Sequence, residues 1–562
     1  MVKNNKWTSL TQYLVILIAL VLFNIIAAKF FFRIDLTEEK RYTMAPASKA
    51  ILQKLDHKVM VEVFLDGELP GNLKRLQKAI REQLEEFKVY GGKNIEFRFT
   101  DPSAAADKKV RMNFYMQLAK KGINPIPLSC SEEDKTTARV IVPGALVTYQ
   151  NKEAAVALHG TNWRQCPEDE AINQSIEGLE FAFINAIKQA TQVSKKKIAY
   201  LRGHGEMDSL AISDLVTSLN GLYEIRPVNL SKIGNLQGYD AIMMVKPRET
   251  FDEEDKLKID QFVVNGGKAL FFIDPVNIRM EAIYPNGAIP LPYNLNLDDL
   301  FFNYGVRINK DLIQDKYSGF IPVVVGINGN EPQMQMIPWR YNPVVYNFSK
   351  HPIVKNLDAV YTKFVSSIDS IQTPNIRKTP LMVTSKYSQL YKGLRIVTLD
   401  EMRTEPSEES FNKSYVPTAY LLEGKFKSLF AGKPLFDEKY PGIIQQNKES
   451  KILICSDGDL LKSEVHPKTR QPYPMGYDLY MKKQFANKDF MLNAINYLLD
   501  EDGLINVRLK EIKLRPLDKA KVKQEKYKWQ LINIGGPIAA LLLFGLLRFI
   551  WRKRKYEGGM KG

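Results

Sequence analysis

The chain has 562 residues, 45% of them hydrophobic and 25% charged, which is ordinary for folded domains and excludes wholesale disorder. Its formal net charge of +16 would suit a nucleic-acid partner. Much of that excess crowds a C-terminal apolar run, however, and no basic stripe carries interleaved aromatics, so nucleic acid is not an expected partner. Cys130, Cys166 and Cys455 lie far apart with no C-x-x-C pair, which argues against a disulfide framework or a structural zinc site. One Cys130–Cys166 bridge stays open for an oxidising compartment.

In chain order, the first feature is an uncharged run from Leu10 to Ala28, about long enough to cross a hydrocarbon core. Lys3 and Lys6 precede it, as in a signal peptide. The run is longer than a signal peptide's and lacks an A-x-A site, so an uncleaved anchor over 10–29 is predicted after a cytoplasmic segment 1–9. Residues 36–192 read as an N-terminal α/β domain. A helix is expected around Ala47–Leu55, and HKVMVEVFLDG alternates as a strand. Leu73, Leu76, Ile80, Leu84 and Phe87 mark a helical stripe that Gly91-Gly92 stops before the strand IEFRFTDP. The pattern is a β-α-β unit. ARVIVPGALVTYQNKEAAVAL then predicts a hairpin, and SIEGLEFAFINAIKQAT an amphipathic helix closing the domain.

From Lys195 the pattern changes. KKIAYLRGHGE, YEIRPVNL, DAIMMVKP and GGKALFFIDPV are near-continuous apolar strands separated by helices over Leu210–Leu219 and Glu253–Asn265. That pattern indicates a doubly wound, mostly parallel sheet across 195–503. A further strand, SKILICSDGD, is expected to complete it after an insertion of about 280–449, with the helix KDFMLNAINYLLD behind it. Residues 504–528 form a basic stalk with Lys523, Lys526 and Lys528 near the bilayer. A second span over 529–550 carries Arg548 near its end and is followed by Arg552, Lys553, Arg554 and Lys555 in a tail to 562. These cations suit anionic headgroups. Two spans put both termini on one side; the basic ends favour the cytoplasm and a periplasmic middle, while the stalk lysines pull the other way.

Candidate chemistry is thin. Arg202-Gly203-His204-Gly205-Glu206 sits at the carboxyl end of the first strand of the doubly wound domain, where open α/β sheets bind ligands. With Asp274, these residues are the binding candidates, for a ligand or for a partner. His204 and Glu206 also suit an acid/base pair, but a tight strand–helix turn explains them as well. Gly266-Gly267-Lys268 lacks the rest of a P-loop and precedes a strand. Ser456-Asp457-Gly458-Asp459 does not fit an EF-hand, and Cys455 ends an apolar strand without a nucleophile elbow. His57, His159, His351 and His466 form no set. No catalytic residue, metal ligand or cofactor is assigned.

Several segments in order carry a resemblance: Leu36-Thr37 with Arg41-Tyr42-Thr43, Asp101-Pro102, Tyr200 to Glu206, Phe272-Ile273-Asp274-Pro275, and Asn493-Ala494-Ile495-Asn496-Tyr497-Leu498. With the two flanking spans they resemble the GldG family, auxiliary components of gliding-motility ABC transport systems in Bacteroidetes. The resemblance implies a thioredoxin-like first domain without a redox motif and a non-catalytic middle domain similar to class I glutamine amidotransferases. It also implies a multispanning permease of the GldF type, a cytoplasmic ATPase of the GldA type, and an inner-membrane location; two copies per complex are compatible with it. The expected function is thus a non-enzymatic auxiliary subunit. The alternatives are a periplasmic receptor for sugars or peptides and, behind it, an envelope hydrolase using His204 and Glu206.

Overall fold

The computed structural model describes residues 13–21, 43–132, 135–158, 167–192, 194–284, 286–328, 331–402, 404–432, 448–466, 468–509 and 519–557. The chain divides into two units, Met1–Glu511 and Ile512–Gly562, each taken by itself.

The first domain follows the local patterning closely. The helix α1 (Pro46–Gln53) leads into β1 (Val59–Val63), α2 (Gly71–Gly91) and β2 (Ile95–Phe99). β1 and β2 are parallel, Val59 opposite Ile95. In α2, Leu73, Leu76, Ile80, Leu84 and Phe87 are all buried, each contributing about 1.5–3 kcal/mol by leaving water. After α3 (Lys108–Lys120) come β3 (Gly144–Tyr149), β4 (Lys152–Ala157) and α4 (Asp169–Thr191), and the sheet order is β2-β1-β3-β4. The expected hairpin is therefore shorter than its sequence suggested. Residues 138–141 belong to Lys135–Ile141, which pairs back with Ile126–Glu132 in a separate ribbon. Cross-strand partners, not local pattern, decide which neighbour such a segment takes. The side chains that would form a Cys130–Cys166 bridge lie outside the described residues.

The second domain is built on an eight-stranded sheet. Its parallel part comprises β5 (Lys196–Arg202), β6 (Tyr223–Asn229), β7 (Ala241–Val245), β8 (Lys268–Phe272) and, much later, β12 (Ser450–Cys455). The order is β9-β10-β11-β12-β8-β7-β5-β6, where β9 (Asn347–Phe348), β10 (Ile376–Val383) and β11 (Pro417–Gly424) are antiparallel. Three strands of the expected insertion thus belong to this sheet. Alternate residues enter two cores. Ile198, Tyr200, Met243, Val245, Leu270 and Phe272 face one that includes α5 (Ser213–Leu219) and α7 (Asn487–Leu499). Ala199, Leu201, Ile242, Met244, Ala269 and Phe271 face another that includes α6 (Glu253–Val264). Burial on both faces is why these strands read as unbroken apolar runs. The rest of the insertion packs around Trp339, Tyr341 and Phe364. It also projects a hairpin, Ser318–Asn328 with Glu331–Val345, that leaves Val324, Val325, Ile327, Met334 and Met336 exposed.

The start of the expected stalk is not a stalk. Leu504–Leu509 forms a 3-10 turn, and Leu504, Ile505 and Val507 are buried in the core of the first domain. Residues 510–518 lie outside the described residues. In the C-terminal unit, α8 (Lys519–Glu557) contains Gln524–Arg554, with a mean hydropathy of 1.9 over its most apolar window and no burial. At ~1.5 Å per residue, such a helix exceeds the ~30 Å of a hydrocarbon core. Residues 13–21 are helical and exposed; the remainder of the expected first span falls outside the described residues.

Candidate functional site

At the carboxyl edge of the doubly wound sheet many polar groups pair with one another, while His204 Nδ1, Glu206 Oε1 and Asn229 Oδ1 are buried without a hydrogen-bond partner among the described residues. β5 ends in the Arg202–Glu206 turn, whose Gly203 and Gly205 both adopt positive φ. A Cβ on Gly203 would sit 3.2 Å from Asn229 Oδ1, and one on Gly205 3.2 Å from Arg248 Cβ, so glycine permits both the dihedrals and the close approach. His204 is buried and stacks on Phe251 at 3.7 Å. Its Nε2 lies 3.3 Å from Asp255 Oδ2 at the start of α6, and its Nδ1 lies 3.7 Å from Glu206 Oε1. The peptide N–H of His204 donates to Glu206 Oε2 at 2.8 Å, while its carbonyl accepts from Arg248 and Glu249. The turn is therefore fastened to the loop that enters α6. Arg202 is partly exposed, with its guanidinium toward Ser209 and Asp208.

Asp274 belongs to a different set of partners. It follows β8 and meets Lys246, which follows β7, and Asp457 to Asp459, which follow β12. Lys246 Nζ contacts Asp274 Oδ2 at 2.8 Å and also Asp459 Oδ2. Asp274 accepts the peptide N–H of Gly458. Asp457 accepts from Lys363 N at 2.8 Å, Asp459 N at 2.8 Å and Leu460 N at 3.1 Å. Three strand ends and a loop of the insertion are thereby tied together.

The electrostatics follow from the burial. Removal from water raises Asp457 well above the usual carboxylate range, and the charges of Asp274 and Asp459 add to this. Burial also raises Asp274, against the pull of Lys246. For Asp459 burial is overcome by Lys246, Lys363 and Lys462, which hold it below its ordinary value. Burial works against the Lys246 charge, yet its two carboxylates raise it above the ordinary lysine value. Lys363 is held in the same way by Glu464 at 2.7 Å. Cys455 is buried, and that burial pushes its thiol well up, opposite to what a nucleophile needs.

Of the residues singled out by sequence, His204 and Glu206 are brought together and Asp274 is joined to neither of them. Lys246 is missed by local reading, and Asp457 and Asp459, set aside as a poor EF-hand, are not linked by that reading to it or to Asp274. The near-continuous strand ends were the available signal, because parallel strands bring their carboxyl ends to one edge. Other motif residues stitch the molecule. Asn493 donates to Ile353 O and accepts from Arg508, Tyr223 donates to Asn496, and Tyr497 donates to Glu423. Asp101 accepts from Ser103 in a turn. Among the described residues no group of histidine, cysteine and carboxylate side chains could hold a metal ion. One cavity, of about 830 Å³, lies at the opposite, amino-terminal edge of the sheet, lined by Tyr239, Phe262, Lys268 and Leu499 among others; a second, of about 850 Å³, borders Asp299, Phe302, Arg307 and Leu429. In the first, Lys268 donates to the carbonyls of Gly266 and Glu449, and Lys196 to that of Leu499.

The chain is thus a mixed α/β protein with a helix long and apolar enough to cross a membrane. The chain belongs to the family described as ABC-type uncharacterized transport system, whose model matches residues 195–494. A second family model, for a domain of unknown function, matches residues 38–148. An uncharacterized protein of Borreliella burgdorferi is 23% identical over 570 residues, spanning 98% of this chain and 99% of its own. Among solved structures, the mmIFT52 N-terminal domain aligns with 55% of this chain and 99% of its own, at 13% identity and a TM-score of 0.30. A score that low defines no shared fold. Membership of an ABC-type system implies a permease and an ATPase as partners and an association with the membrane.

Proposed function

We propose that the chain is a non-enzymatic auxiliary subunit anchored beside a multispanning permease and driven, through it, by a cytoplasmic ATPase. The observation that carries this reading is the mutual pairing of buried charges at the middle of the carboxyl edge. Where a doubly wound enzyme would receive substrate, Lys246, Asp274 and Asp459 satisfy one another. Family membership supports the transport setting. The order β2-β1-β3-β4 supports a thioredoxin-like reading of the first domain, and the two-faced sheet supports a glutamine-amidotransferase-like reading of the second. The exposed apolar hairpin around Val324 and Met334 supports contact with the permease, since apolar patches on a folded surface mark protein contacts. The finer assignment is a GldG-type component of a gliding-motility system, in the inner membrane with cytoplasmic termini and a periplasmic middle.

Purification of the intact chain from detergent-solubilised membranes, with identification of what accompanies it, tests the proposal. A permease and an ATPase are expected. Recovery of neither, in a preparation that keeps other membrane complexes whole, would overturn it. A receptor reading has one observation in its favour: cavities of about 830 and 850 Å³ are of solute size. Calorimetry of the full chain with sugars and peptides separates the two, because only a receptor gives saturable heat.

A further inference from the structure

The crossover helix α3 (Lys108–Lys120) has an outer face that its own domain does not use. Its inner face is held by Phe114 and Leu118 against a small cluster containing Phe64, Ile123, Val142 and Leu146. The opposite face presents Lys109, Met112, Asn113, Met116 and Lys120, at the i, i+3, i+4, i+7 and i+11 spacing of one helical stripe, and all are exposed. Met112 is 52% exposed and Met116 50%, with Val110 at 53% on the flank. From Lys108 to Lys121 the segment contains Lys108, Lys109, Arg111, Lys120 and Lys121 and no acidic residue. Asp107, just before it, accepts the Lys109 peptide N–H as an N-cap. Arg111 is occupied by the carbonyls of Ala105 and Ala106, and Lys121 by Glu153. Among the described residues Lys108, Lys109 and Lys120 have no side-chain partner.

We propose that α3 lies against an anionic phospholipid surface, with Met112 and Met116 dipping among the headgroups and the three free lysines over them. A basic helix that exposes apolar side chains among its lysines can rest on an anionic interface, the lysines meeting the headgroups. Unbranched methionines fill a soft boundary without a shaped pocket. Charge complementarity selects the partner: each lysine near an anionic leaflet strengthens attachment about fivefold. The stripe has none of the tryptophan, tyrosine or arginine anchors with which protein interfaces concentrate their affinity. The chain also carries a C-terminal helix long and apolar enough to cross a membrane, which would keep a bilayer close by. This inference is independent of the transport reading, since it needs only the membrane.

The test uses the intact chain in nanodiscs of phosphatidylcholine alone and of phosphatidylcholine with phosphatidylglycerol. Mild peroxide oxidation of each methionine is followed by mass spectrometry, with exposed Met334 as the internal reference. Met112 and Met116 are expected to oxidise roughly five- to tenfold more slowly in the anionic discs, as buried apolar groups leave water. That protection should be lost at high salt and in Lys109→Glu/Lys120→Glu, whose exposed substitutions leave the melting temperature unchanged. Equal oxidation in both discs would overturn the proposal. So would protection that persists without anionic lipid, or that arises only when an acidic protein partner is added.

Discussion

Replacing Lys246 by methionine removes the cation at the middle of the carboxyl sheet edge while keeping a chain of similar length. Lys246 is 4% exposed and contacts Asp274 at 2.8 Å as well as Asp459. The substitution leaves Asp274 and Asp459 facing each other, with Asp457 behind them, and removes the charge that held Asp459 ionised. Breaking a buried pair by deleting one partner costs about 3–5 kcal/mol, because the remaining charge stays desolvated. Two carboxylates share this lysine, so the upper part of that range is expected at neutral pH. The loss should shrink on acidification: without Lys246 the folded carboxylates bind protons more readily than in the unfolded chain, so lowering the pH favours the folded variant relative to its value at pH 8. Lys246→Met combined with Asp274→Asn should recover about half of the loss, since one unpaired charge is gone. The assay is urea unfolding of the intact chain in detergent, followed by fluorescence at pH 8 and pH 5.5. A loss under ~1 kcal/mol at pH 8, or one that grows with acid, would refute the reasoning.

The remaining predictions concern neighbouring groups. In Gly458→Ala the added methyl would fall 2.6 Å from Lys246 Cβ and 3.1 Å from Asp274 Oδ1; a cost of about 1–3 kcal/mol is expected, and a neutral urea midpoint would contradict it. His351 accepts from Ile353 N through Nδ1 at 3.3 Å and meets the Tyr497 ring at 4.5 Å, and burial lowers it to about 4. Its folded value lies below its unfolded value near 6.5, so stability is level above that pH and falls between about 6.5 and 4 as the unfolded chain takes the proton first. The ring is only partly buried, so the fall attributable to it is about 1–2 kcal/mol. His351→Phe should flatten that part of the profile, and an unchanged slope would count against it. His204→Asn with Glu206→Gln should weaken the turn by about 1–3 kcal/mol yet leave complex assembly and transport within about twofold at permissive temperature. Loss of transport with assembly intact would revive a catalytic role for the pair.

The first domain was legible because its signals are local. The α2 stripe from Leu73 to Phe87 and the stop at Gly91-Gly92 specify a helix and its end, and the structure places them there. The strands of the second domain were legible for the same reason: burial on both faces leaves an apolar run whatever the neighbours are. The hairpin expected from residue 138 is cut short because Val140 pairs with Pro127 across a separate ribbon, and no periodicity names a strand's partner. Likewise Leu504, Ile505 and Val507 gave no hint that a lysine-rich stretch begins inside a core.

The chain's own letters determined the helix at its C-terminal end that is long and apolar enough to cross a membrane, the α/β alternation, and the place of His204 and Glu206 at a strand end. These depend on runs, spacing and composition within a few turns of chain. Only the tertiary structure decided what that strand end does. It carried Lys246, Asp274 and Asp459 from positions far apart in sequence to one buried point. There the cost of desolvating a charge leaves no choice but to pair it. It also turned Met112 and Met116 outward, because the inner face of α3 is claimed by Phe114 and Leu118. Which side of an amphipathic helix is left over depends on the surface it meets, and that surface is assembled from strands read elsewhere in the chain.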